Sequence, residues 1–216
     1  SGNPGKIKEF EVLMPPGIRV RSLAELGMPL DLPETGDTLE ANAEQKARYV
    51  FERTGLPCMA DDTGLEVLAL GGAPGVLSAR YAGPAKDAAA NMELLLNNMS
   101  GKADRDARFR TVIAYVDAQG LQLMEGEVKG RIIEAPRGSG GFGEADGERL
   151  VVGIKDRGLG SRHAEIDDAL RFSCKLRELL GAHVDERNIV VLAEERHDLV
   201  RLAVAHHARV DEDAGQ

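Results

Sequence analysis

The stretch Pro57-Cys58-Met59-Ala60-Asp61-Asp62-Thr63-Gly64 decides the fold class. Its short apolar run predicts a buried strand, with the two aspartates delivered at the strand's C-terminal edge. Immediately upstream, Thr38 to Thr54 reads as a helix, with Thr38 as its cap and Gly55 just past its end. Further upstream, Ile18-Arg19-Val20 is a short strand, and Lys6 to Met14 a helix leaving a glycine turn. Downstream, Lys86 to Asn98 is another helix. Arg108 to Val116 and Gln122 to Val128 have strand patterns around Asp117-Ala118-Gln119-Gly120, a hairpin signal. Later still, Ser161 to Leu180 and Glu194 to Val210 read as helices, and Asn188 to Ala193 as a strand. Strands and helices mixed in this order argue for an α/β or α+β protein.

Composition bounds the function. The chain has 216 residues, 43% hydrophobic and 29% charged, which suits a globular protein with its own core and excludes global disorder. A net charge of −9 disfavours a protein that grips a nucleic-acid backbone, but a few placed amides and lysines can still hold a phosphate. No stretch approaches the ~20 apolar residues of a membrane span. The N-terminal residues have no signal-peptide apolar core, and Cys58 and Cys174 fit no metal-ligand spacing, so a reducing, cytoplasmic setting is expected. All five histidines follow Gly143, all but one of the eight aromatic residues precede it, and the last 73 residues carry 27 charges. This predicts an organised body over 1–143 and a more helical, more polar part over 144–216.

Four motifs carry chemical possibilities. Ser1-Gly2-Asn3-Pro4-Gly5-Lys6 is a glycine-rich turn running into a helix, the make-up of a phosphate cradle or simply of a terminal turn. Adjacent aspartates after an apolar strand, Asp61 and Asp62, could hold Mg²⁺ and orient or deprotonate a water; an Asx turn at the strand end would explain them equally. Gly71 to Gly83 is a small-residue, turn-rich segment. Its Arg80 either reaches a ligand's charge or makes a surface salt bridge. In Gly138 to Gly143, Phe142 could stack on a nucleobase or anchor the loop. The histidines form no ligand set, and no Ser-His-Asp or Cys-His constellation emerges from spacing.

Taken in order, SGNPGK at 1–6, ETGDT at 34–38 with Asn42 and Lys46 on the next helix, ADDTGLEV at 60–67, GGAPGVLSARYAG at 71–83, Ala107 to Phe109, and PRGSGGFG at 136–143 resemble the inosine triphosphate pyrophosphatase family. The resemblance runs almost continuously over residues 1–143. It implies hydrolysis of non-standard purine nucleoside triphosphates such as ITP, dITP and XTP to the monophosphate and pyrophosphate. It also implies an elongated, two-lobed α/β protein with a central mixed sheet flanked by helices, a cleft between the lobes, and a homodimer. Ser1, Gly2, Asn3, Pro4, Gly5 and Lys6 would cradle the triphosphate. Asp62 would be the catalytic acidic residue and hold Mg²⁺, Asp61 would assist, and Thr63 would touch substrate. Phe142 and Gly143 would border the base. Pro33 cannot ligate a metal, so its neighbour Glu34 is the expected second ligand.

The chain departs from the family after Phe142-Gly143, where Tyr-Asp-Pro is replaced by Glu144-Ala145-Asp146, and the later purine-reading motifs find no counterpart, which marks 144–216 as divergent. These departures also suit a second reading, a nucleotide-binding or structural relic that has lost turnover. Family members carry a strand directly before the SGNPGK motif. Asn188 to Ala193 resembles that strand in character and could fill its slot in the sheet.

Overall fold

The computed structural model describes residues 18–137, 150–154 and 188–192. Strand β1 (Arg19–Arg21) is followed by helix α1 (Leu39–Thr54), strands β2 (Cys58–Val67) and β3 (Pro74–Gly75), helix α2 (Ala88–Asn98), and strands β4 (Asp106–Asp117), β5 (Gly120–Arg137), β6 (Leu150–Ile154) and β7 (Asn188–Leu192). The strands form one sheet in the order β1-β7-β2-β4-β5-β6, with β3 added to β2. β7 runs parallel to both β1 and β2, while each neighbouring pair in β2-β4-β5-β6 is antiparallel. The helices and mixed sheet make an α/β fold.

Helix α1 begins and ends where its sequence dictates. Thr38 caps it by accepting from Ala41 N at 3.1 Å, and the Gly55 N–H closes on the Phe51 carbonyl. Helix α2 starts two residues later than expected. Lys86 adopts a positive φ that no helix can contain, and Asp87 supplies the cap through its side chain. The β4–β5 hairpin is longer at both ends than its sequence pattern. The Asp117 carboxylate nucleates its turn by accepting from Gln119 N and Gly120 N.

Strand β2 corrects the expected position of the aspartates. Asp61 and Asp62 lie in the middle of the strand rather than at its C-terminal edge, and the Asx-turn alternative does not apply. Leu65 and Val67 extend the buried pattern past Thr63-Gly64 and pack against α2. Gly64 belongs inside the strand because a Cβ there would stand 2.5 Å from the Gly75 carbonyl oxygen, on the strand that pairs alongside.

Successive residues of a strand face opposite sides of the sheet, which yields two cores. On one face Cys58, Ala60, Val112, Ala114 and Val190 pack with Ala43, Ala47 and Val50 of α1. On the other, Leu65, Val67 and Ala107 pack with Met92, Leu95 and Met99 of α2 and its end. The expected strand at Asn188 forms β7 and lies between β1 and β2, with Val190 fully buried and its N–H donating to the Pro57 carbonyl. The helices expected at Lys6–Met14, Ser161–Leu180 and Glu194–Val210 lie outside the described residues.

Candidate functional site

Asn42 and Lys46 are one helical turn apart on α1, on the same buried side as Leu39, Ala43 and Ala47. A lysine in such a place requires anionic partners, because burying an isolated ammonium is prohibitive. Lys46 is only 4% exposed. Its Nζ donates to Glu34 Oε1 at 2.8 Å and to Asp62 Oδ1 at 3.3 Å. Asn42 donates Nδ2 to Asp62 Oδ2 at 3.1 Å and accepts from Gly36 N at 2.8 Å. One asparagine thereby ties the carboxylate on β2 to the loop that carries Glu34.

That loop has no regular secondary structure, so α1 supplies its shape. Gln45 accepts from Thr35 N and donates to the Thr35 hydroxyl, both at 2.9 Å. Gly36 can pass this close because it has no side chain: a Cβ would meet Ala41 Cβ at 2.6 Å. Glu34 Oε2 faces Arg80 Nη1 at 3.6 Å. The arginine whose two sequence readings were a ligand's charge and a salt bridge therefore makes the salt bridge, with a carboxylate of the site.

Burial raises the Asp62 carboxyl to about 6. The Lys46 charge and the Asn42 hydrogen bond oppose that rise, and the Glu34 charge reinforces it. At neutral pH Asp62 is an anion with proton affinity well above that of an ordinary aspartate. Two carboxylates sharing one ammonium also suit a hard divalent cation. Among the described residues no group of three His, Cys, Asp or Glu side chains converges. A Mg²⁺ held by Glu34 and Asp62 would thus complete its oxygen shell from water and phosphate, as this ion commonly does. Burial pushes the Cys58 thiol far up, so it has no nucleophilic character.

Among the described residues, the edge of β2 is left open at the same place. On the side away from β4, its described pairing with β7 runs to Ala60, and its pairing with β3 begins at Leu65. Residues 61–64 lie between these two ladders. Leu65 N points to this side, toward the Ser78 hydroxyl, so by the strand's alternation the Thr63 N–H and C=O point into the opening. Asp62 meets the opening from the α1 face. Thr63, whose hydroxyl lies 2.6 Å from that of Thr111, meets it from the opposite face, as does Asp61.

The structure therefore brings Asp62 and Glu34 together and places Asp61 and Thr63 across the sheet from them. Ser1, Gly2, Asn3, Pro4, Gly5, Lys6, Phe142 and Gly143 lie outside the described residues. Lys46 and Asn42 entered the sequence reading only as parts of a motif. Their signal was available, since two polar residues four apart among Leu39, Ala43, Ala47 and Val50 demand a buried partner.

The Ham1 family model matches residues 1–143. The chain is 49% identical over 144 residues to a dITP/XTP pyrophosphatase of Porphyromonas gingivalis, covering 66% of this chain and 74% of that protein. With a dITP/XTP pyrophosphatase of Thermus thermophilus it shares 42% identity over 193 residues, 86% of this chain and 90% of the other. Among solved structures, the Staphylococcus aureus Ham1 protein superposes with a TM-score of 0.66 at 33% identity, over 86% of this chain and 95% of that one.

Proposed function

Because the chain belongs to the Ham1 family, we propose that it is a Mg²⁺-dependent nucleoside triphosphate pyrophosphatase acting on ITP, dITP and XTP. The supporting observation is the cluster of buried Asp62 and Lys46 with half-buried Glu34, beside the opening left among the described residues in the edge of β2. Phosphoryl chemistry asks for positioning and charge neutralisation more than for covalent intermediates, and these residues supply both. Mg²⁺, when bound, would neutralise phosphate charge, with Asp62 and Glu34 as its protein ligands. Asp62 accepts the proton of a water that attacks the α-phosphorus. The bond from that phosphorus to the α,β-bridging oxygen breaks, releasing pyrophosphate and leaving the monophosphate. Asn42 holds the Asp62 carboxylate in line, and Lys46 balances its charge.

In this reading Ser1 to Lys6 cradle the triphosphate, with Lys6 as a cation on it. Thr63 contacts substrate from the far face, and Phe142 and Gly143 border the base. The protein acts in the cytoplasm as a homodimer. Leu68 and Leu77, exposed at 63% and 46% and lying just before and within the Gly71–Gly83 segment, are apolar side chains a second copy would cover. Among the described residues no helix is long and apolar enough to cross a membrane.

The test is pyrophosphate release from ITP, dITP, XTP and GTP, with and without Mg²⁺. Turnover of the first three over GTP, abolished by chelation, is expected. A folded protein that releases nothing from any of them would instead be the non-catalytic relic.

A further inference from the structure

The segment from Ser78 to Ala82 is fixed from both sides. The Ser78 hydroxyl accepts from Leu65 N at 2.8 Å and donates to the Gly75 carbonyl at 2.5 Å, tying the segment to β2. From α2, the fully buried Asn91 donates to the Ala79 carbonyl at 3.0 Å and accepts from Ala82 N at 2.6 Å. Asn98 adds a hydrogen bond to the Tyr81 hydroxyl at 2.9 Å. A buried amide satisfied at both ends holds its two partners in one arrangement, because releasing either leaves a buried polar group unmatched. Asn91 thus sets the backbone on each side of Arg80, and the side chain this bracket aims at the site is Arg80's.

Arg80 faces Glu34 at 3.6 Å, an ion pair too long to be a hydrogen bond. Lys46 takes the other oxygen of Glu34 and reaches Asp62. Among the described residues these four charges, two of each sign, sum to zero. Paired with one another they offer little net attraction to a polyanion.

Resting on the pyrophosphatase reading, we propose that Arg80 is a second phosphate-binding cation of this site, kept on Glu34 until substrate arrives. Once the Glu34 carboxylate turns to a divalent cation, Arg80 loses its partner and swings its planar fork to a phosphate oxygen of the chain. Guanidinium and phosphate geometries match in a way that an ammonium cannot reproduce. The bracket formed by Ser78, Asn91 and Asn98 stays in place, so the change involves side-chain torsions alone.

Calorimetry with inorganic tripolyphosphate in the presence of Mg²⁺, on the wild type, Arg80→Met and Arg80→Lys, reads this directly. A second titration follows Mn²⁺ binding to the same proteins without any phosphate ligand. Arg80→Met should weaken tripolyphosphate binding by about 10-fold or more, equivalent to one good charge-assisted contact, and Arg80→Lys should recover part of it. In the phosphate-free titration Arg80→Met should bind Mn²⁺ more tightly, because a competing cation has left Glu34. These opposite signs are what a merely structural arginine would not produce. Unchanged tripolyphosphate affinity in Arg80→Met, or loss of Mn²⁺ and tripolyphosphate binding together, would overturn the proposal. Failure of the wild type to hydrolyse any nucleotide would sink the enzymatic reading alone, since the tripolyphosphate titrations still decide the role of Arg80.

Discussion

The two faces of the sheet solve different problems. On the other face, the part that packs on α2 is apolar: Leu65, Val67, Met92, Leu95 and Met99 exclude water, Asp61 and Thr63 lie further along β2 beyond that cluster, and α2's side chains do their polar work in holding the loop around Arg80. Toward α1 an equally buried face is interrupted by Asn42, Lys46 and Asp62. Those residues cost solvation energy that well-packed apolar side chains of similar volume would not. The difference teaches that α2 is scaffold and α1 is machinery, and substitutions on the two faces should separate activity from stability.

The largest effect belongs to the α1 face. Asp62→Asn should lower turnover by roughly 10²–10⁴ while circular dichroism and hydrodynamic size stay unchanged. Retained activity would remove Asp62 from its role. On the α2 face, Leu95→Ala should cost about 2–5 kcal/mol in urea unfolding and leave kcat intact wherever the variant is folded. A loss of kcat there would erase the distinction between the faces.

The pH dependence of stability sharpens the comparison further. The Asp62 carboxyl is raised from 3.8 to about 6 in the folded protein, so folding favours its protonated form. Its contribution is fully present below the unfolded value and is lost as pH rises through about 6. Between pH 4 and 6 the metal-free protein should lose on the order of 3 kcal/mol from this group. Asp62→Asn should flatten that segment of the stability curve, and an undiminished slope would locate the effect elsewhere. Smallest of all, Thr38→Ala should remove about 1 kcal/mol by uncapping α1. Thermal melts check this, with Asp87→Ala on α2 as the matched control.

Much of this architecture was legible in the residues themselves. Thr38 and Gly55 bracket α1 because capping chemistry is local, and the β4–β5 turn announces itself through Asp117 and Gly120. The middle of β2 was not legible. Asp, Asp, Thr and Gly have turn chemistry and weak strand preference, and pairing with β4 and close packing against Gly75 hold them extended. The site was half legible for a similar reason. Asp62 and Glu34 are suggestive alone, but the contacts that join them run from Lys46 and Asn42 across distant segments, and local pattern cannot report such contacts.

The insertion of β7 between β1 and β2 has a consequence for how the chain is made. The strand bearing Asp62 cannot complete its central edge until residues 188–192 have been synthesised. Pairings between remote segments form slowly, because loop closure must be achieved before any contact rewards it. During translation β2 therefore waits with an exposed hydrogen-bonding edge, the feature by which nascent chains adhere to one another. Yield of native protein should depend on elongation rate and on chaperone supply, and the vulnerable interval ends when β7 docks.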